Sequence, residues 1–156
     1  MTSVTAIPKV LCIHDMTPNR RRGGDVRTLL SPATVGSTSG FFGTLTLQPG
    51  EVVTEHLHPY SEEFLYCVRG IVTARLDGQY QDLPADHGVC IPIGMRHRVV
   101  NTGEETAFLV FHLSPLAPRP DLGHVDTEVP LDPDAPHVPV APSAPTVDSL
   151  PHGSGQ

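Results

Sequence analysis

The chain has 156 residues and a formal net charge of −7 at pH 7. That is the length of one domain with a sizeable core, and the charge excludes a general nucleic-acid-binding surface. No apolar run approaches the length of a membrane span, and the N-terminus lacks the charged and apolar regions of a signal peptide, so a soluble cytoplasmic protein is expected.

Proline (17) and glycine (14) make up about a fifth of the chain, which favours turns and short strands over long helices. Three cysteines, Cys12, Cys67 and Cys90, are odd in number and form no C-x-x-C pair. They read as reduced, buried residues. Residues 1–9 are polar, and Val10–His14 is a short apolar run with the character of an edge strand. Thr17–Gly24 reads as a loop holding the one basic run, Arg20, Arg21 and Arg22.

Asp25–Ser31 reads as a strand with Val26, Thr28 and Leu30 on one face and Arg27 on the other. If Arg27's face lines a cavity, it is a candidate for binding an anionic or carbonyl-bearing ligand; otherwise it is a solvated edge arginine. Ser37–Gln48, rich in Thr, Phe and Leu, reads as the next strand and ends at Pro49-Gly50. Strands follow at Glu51–His58, Glu63–Val68 and Ile71–Leu76, and Asp77-Gly78 is a hairpin signal. Tyr80–Leu83, Val89–Pro92, Arg96–Val100 and Thr106–Leu113 complete the pattern, the last with Phe108, Val110 and His112 on one face. Many short strands punctuated by Gly and Pro argue for an all-β barrel or jelly roll.

Four segments are expected. Residues 1–36 pack on the barrel, 37–113 form it, 114–129 extend along it or across a subunit interface, and 130–156 form a Pro-rich disordered tail. His124, His137 and His152 are expected to face solvent. His87 reads as structural, and His14 is unassigned.

The chemistry concentrates between Gly50 and Gly70. His56 and His58 share one strand face with Val52 and Thr54. If Glu51–His58 and Glu63–Val68 form a hairpin across residues 59–62, Glu63 lies opposite His58 and Leu65 opposite His56. Opposed β-carbons stand about 4.5–5.5 Å apart, so Glu63 rather than Glu62 reaches an ion held by the histidines. A turn at Pro92 and Gly94 then delivers His97, with Val99 and Asn101 on its face. A lone histidine there would be an ordinary core residue, but beside the first stretch it completes three imidazoles and a carboxylate, with positions left open.

These two stretches resemble the cupin superfamily. Gly50, His56, His58, Glu63 and Gly70 match its first motif throughout, and Pro92, Gly94, His97 and Asn101 match its second. The departure is Asp86, which stands where the second motif opens with glycine. The resemblance implies a cupin-type jelly-roll β-barrel with His56, His58, Glu63 and His97 as metal ligands. The flanks RRGGDVRTLLSP, TSGFFGTLTLQPGE and LSPLAPRPDLGHVDTE are similar to those of small single-domain cupins of bacterial aromatic polyketide pathways, of tetracenomycin and resistomycin cyclase type.

That group implies cyclisation or aromatisation of a poly-β-ketone, in which a divalent ion polarises a carbonyl. The ion expected is zinc, although iron, nickel, manganese or copper fit the same donors. Phe41 or Phe42, Leu65, Val99, Phe108 and Val110 are the expected apolar wall. Pairing across Asn101–Glu105 would set His97 opposite Phe108 and His112 near Ile93, at the pocket rim. There His112 is a candidate acid or base, and Arg27 is the second catalytic candidate. Two other readings remain: a metal-dependent oxygenase and a non-catalytic ligand-binding cupin. A polyketide substrate, contact with polyketide synthase components and a homodimer are expected, with no nucleic-acid or membrane partner.

Overall fold

A computed structural model describes residues 6–140. Among the described residues ten strands follow in order: β1 (Asp25–Leu30), β2 (Phe41–Leu47), β3 (Val52–Leu57), β4 (Glu62–Arg69), β5 (Ile71–Leu76), β6 (Gln79–Pro84), β7 (Gly88–Ile91), β8 (His97–Val100), β9 (Ala107–Ser114) and β10 (Val125–Asp126). They form two antiparallel five-stranded sheets, ordered β1-β2-β9-β4-β7 and β10-β3-β8-β5-β6. The molecule is the all-β, double-sheet jelly roll that the strand pattern implied. Among the described residues no helix is long and apolar enough to cross a membrane.

Alternation of side chains builds the core. Along β9, Ala107, Leu109, Phe111 and Leu113 are buried and turn inward, while the residues between them are only half-buried. Leu47, Val72, Cys67 and Leu109 are wholly buried in the same cluster. Each large apolar side chain so placed contributes about 1.5–3 kcal/mol of transfer free energy. Asp77 and Gly78 take left-handed backbone and close the β5–β6 hairpin, with Leu76 paired to Gln79, as expected.

Other local expectations are corrected. β3 and β4 do not form a hairpin, because they belong to different sheets. The same is true of β8 and β9, so His97 is not opposite Phe108. Both connections are corners where the chain crosses between the sheets. In β3 the pairing shifts between Val53, opposite Val99, and His56, opposite His97. One extra residue on the β3 side, a bulge, puts Val53 on the cavity wall in place of the expected Val52.

Val10–His14 is not a strand; Val10 is exposed, and Ile13–Asp15 is a single 3₁₀ turn. Of the cysteines only Cys67 is buried, with Cys12 and Cys90 exposed. The part of the expected tail that is described, residues 130–140, lies against the barrel. The Asp132 amide donates to the Arg21 carbonyl at 3.0 Å, and the Ala33 amide donates to the Val140 carbonyl at 3.1 Å. Residues 141–156, including His152, lie outside the described residues.

Candidate metal centre

The two motifs meet because β3 and β8 are neighbours. His56 and His97 are register partners, and their ring centroids stand 4.3 Å apart. His58 follows the end of β3, and its carbonyl accepts a hydrogen bond from the Gly94 amide at 2.9 Å. Gly94 has φ of 79°, so the turn that delivers His97 is tied to the first motif through a backbone shape suited to glycine. Glu63 enters from the opposite sheet, where β4 lies between β7 and β9. Its neighbour Glu62 faces outward beside Cys90. Glu63 is therefore the acid at the cluster, as expected, but it arrives across the barrel and not across a hairpin. Asp86, in place of the motif's glycine, adopts φ of 67°, a left-handed conformation that aspartate tolerates better than most residues.

Each histidine is oriented by a backbone carbonyl. Nδ1 of His56, His58 and His97 donates to the carbonyls of Thr54 (2.8 Å), Gly123 (2.9 Å) and Met95 (2.9 Å), respectively. That tautomer turns the Nε2 lone pair of a neutral ring toward the centre. Glu63 Oε2 stands 2.9 Å from His97 Nε2 and 3.3 Å from His58 Nε2. One ligand atom from each of the four residues lies within 4.8 Å of all the others.

Glu63 Oε2 and His97 Nε2 are buried without a hydrogen-bond partner. Lone pairs set against a carboxylate need a proton or a cation between them. Donors sharing one ion at about 2.0–2.2 Å stand about 3 Å apart, close to the 2.9 and 3.3 Å from Glu63 Oε2 to the His97 and His58 nitrogens. The set fits a divalent metal ion.

Without an ion, burial and the neighbouring side chains shift the pKa values of His56, Glu63 and His97. Burial, then the charges of His97 and His58, push the His56 pKa well below its usual value. Burial opposes ionisation of Glu63, yet the facing His58 and His97 imidazoles hold its carboxyl well below the usual range. For His97, burial is outweighed by Glu63, and the pKa is raised. Asn101, which shares the His97 face, is structural. Its side-chain amide donates to the carbonyls of Leu47 and Glu105, both at 2.8 Å, and pins the following turn.

The cluster lies in a cavity of about 610 Å³. Phe41, Leu65 and Val99 line it as expected, together with Leu45, Phe111 and Leu113. Phe42, Phe108 and Val110 do not, because the parity of β2 and β9 turns them to the outer face. His112 goes with them: it pairs with Phe42 and Phe64, and its ring stands 6.2 Å from that of Phe64. Arg27 also faces away from the cavity. It grips Asp25 through Nε (2.8 Å) and Nη2 (3.0 Å), and its Nη1 donates to the carbonyls of Ile13 and Met16. The β1 residues on the cavity wall are Val26 and Thr28.

Five charged or titratable residues on the wall were not assigned to it from the sequence: Arg21, Arg22, Asp121, His124 and His137. His124, expected to face solvent, is half-buried, whereas His137 is exposed as expected while also edging the cavity. The rings of His124 and His137 stack with centroids 6.4 Å apart. Burial, then the Arg22 charge, lowers the His124 pKa to about 4. The only sequence signal for the arginines was the basic run beside Gly23-Gly24.

This fold and donor set define a cupin. The family model for the cupin domain matches residues 43–113, and the chain belongs to that family. Polyketide synthase CurC of Streptomyces cyaneus is 59% identical over 123 residues, covering 79% of this chain and 80% of that protein. Tetracenomycin polyketide synthase protein TcmJ of Streptomyces glaucescens is 47% identical over 126 residues, covering 81% and 84%. The polyketide cyclase RemF from Streptomyces resistomycificus shares the fold with a TM-score of 0.64 at 18% identity, over 81% of this chain and 90% of that one. The group expected from the flanking segments is thus the one found.

Proposed function

We propose that the protein is a metal-dependent cyclase or aromatase acting on a poly-β-ketone intermediate of aromatic polyketide biosynthesis, with zinc held by His56, His58, Glu63 and His97. The observation that carries this reading is the orphaned pair of Glu63 Oε2 and His97 Nε2, set in a largely apolar cavity of about 610 Å³. That volume suits an organic ligand of drug size. When bound, a divalent ion at these donors supplies Lewis-acid polarisation of a carbonyl oxygen.

The chain's own residues do the rest. Phe41, Leu65, Val99 and Phe111 exclude water and fold the flexible polyketone against the wall. The carbonyls of Thr54, Gly123 and Met95 hold the three imidazoles in one tautomer. His124, neutral at pH 7, offers an uncharged hydrogen-bonding group to the substrate. The relatives' names support polyketide processing, and association with polyketide synthase components belongs to the same proposal. So does a homodimer, for which the exposed Phe64, Tyr66 and Val68 on the outer face of β4 offer a surface; sedimentation of the purified protein reads it.

The test is metal analysis of purified protein, followed by turnover of a poly-β-ketone with product analysis and an oxygen electrode. One zinc per chain and cyclised product without oxygen uptake are expected. Oxygen consumption coupled to product would establish the oxygenase reading instead. Unchanged product from His97→Ala would favour a non-catalytic binding protein.

A further inference from the structure

Two arginines on the cavity wall share one carboxylate. Arg21 Nη1 donates to Asp126 Oδ2 at 2.6 Å, and Arg22 Nε donates to Asp126 Oδ1 at 2.7 Å. Two guanidiniums against one carboxylate leave one positive charge in excess. Both side chains are largely withdrawn from solvent, at 16% and 14% exposure. Each also keeps a buried N–H group with no acceptor: Arg21 Nε and Arg22 Nη2. Donors left unpaired in this way are costly, and those of a charged group more so.

The position of Arg22 is tightly fixed. Its carbonyl accepts the Thr54 amide at 2.9 Å, two residues before His56. Gly23 follows with φ of 101°, and a β-carbon there would lie 2.0 Å from the Val52 carbonyl oxygen. Only glycine lets the loop press so closely on β3. Asp126, which holds the guanidinium from the other side, is the register partner of His56 in β10. Backbone and side chain alike are therefore locked to the strand that carries the first ligand. In an apolar cavity such a charge acts with little screening.

We infer that Arg22, steadied by Asp126 and Arg21, is a substrate-binding group that receives the enolate oxygen of a β-dicarbonyl unit in the cavity. The inference rests on the proposed function for its substrate class. A planar, delocalised enolate matches the planar guanidinium fork, which presents donors in one plane. An enolate held there is stabilised in the form a carbon–carbon bond-forming condensation requires. The bare surplus charge would also accept a carboxylate, and the experiment separates the two.

The test is calorimetric titration of the full-length protein, under reducing conditions, with dimedone and separately with benzoate. Dimedone is a cyclic β-diketone that is an enolate at neutral pH, and its two oxygens diverge, so it cannot chelate a single ion. Wild type binds dimedone more tightly than benzoate. Arg22→Gln weakens dimedone at least about tenfold, as expected for loss of a charged hydrogen bond. Arg22→Lys falls between them, since it keeps the charge and loses the fork. Metal content and thermal melts of the same samples show that the variants remain loaded and folded. The inference is overturned if Arg22→Gln binds dimedone like wild type, if wild type does not bind dimedone, or if benzoate is the tighter, Arg22-dependent ligand. Absence of metal or of turnover would sink the proposed function and leave the dimedone result standing, so the two fail separately.

Discussion

Glu63→Gln separates a metal site from a buried ion pair, because only a metal site makes the response to an added ion depend on this carboxylate. Glu63 Oε2 lies 2.9 Å from His97 Nε2 and 3.3 Å from His58 Nε2, and Glu63 is the only anion in the four-residue set. Without an ion, glutamine keeps the shape but loses the charge that faces His97 and His58, so chelated Glu63→Gln is expected to melt no higher than chelated wild type. The response to an added ion is what separates the two accounts. At one hundred times its dissociation constant an ion adds about 2.7 kcal/mol. For a domain of this size that is a rise of about 5–11 °C, at about 2–4 °C per kcal/mol. Losing an outer-sphere partner costs up to about 100-fold in metal affinity, and losing a direct anionic donor costs at least as much. At the same ion concentration the variant then gains about 0.4 kcal/mol, or about 1–2 °C. Melting curves with chelator and with added zinc measure both quantities. Equal zinc-induced shifts in wild type and variant would refute the metal assignment, as would a wild-type melt indifferent to zinc.

Arg27→Gln and His112→Ala are expected to leave turnover within about twofold of wild type, since both side chains lie outside the cavity; a loss of about tenfold or more in steady-state assays would contradict that placement. Leu109→Ala, at a wholly buried position in β9, is expected to cost about 2–5 kcal/mol in denaturant unfolding. Stability should also fall in acid through Asp126. Burial opposes its ionisation, but hydrogen bonds from Arg21 and Arg22 hold its pKa below the ordinary 3.8. Its contribution is complete above that unfolded value and is lost as pH falls through the lower folded one. Asp126→Asn should therefore flatten the acid limb of a stability–pH curve below about pH 4, and an unchanged limb would refute the linkage.

What was legible in the sequence was what is local. Asp77-Gly78 specified its hairpin because two left-handed residues in succession have few other uses. The corners after His58 and Val100 looked equally like hairpin loops, yet each carries the chain from one sheet to the other. Their lengths are similar, and no residue in them reports which sheet the next strand joins. Glu63 was selected over Glu62 through a pairing that does not exist. The choice survived because pleat parity puts only one of two adjacent residues on the cavity side, whichever sheet carries the strand.

The cavity wall was harder to read for two physical reasons. β9 is apolar on both faces, so the set of Phe108, Val110 and His112 and the set of Leu109, Phe111 and Leu113 alternate equally well. Period alone cannot say which set turns inward. The close packing of Ala107 beside Gly70 is one constraint on that orientation, and it lies between residues far apart in sequence. The polar wall has no period at all. Arg21 and Arg22 come from a loop, and His124 and His137 from the extended segment after β9. The motif histidines lie on strands or, for His58, directly after one, and their spacing repeats and can be recognised. Arg22 is held as firmly as they are, by the Thr54 amide, the Gly23 contact and Asp126, but each of those constraints joins residues without a fixed spacing. A strand-borne ligand set can thus be found from a motif, whereas the groups that would choose its substrate emerge only from the folded loops.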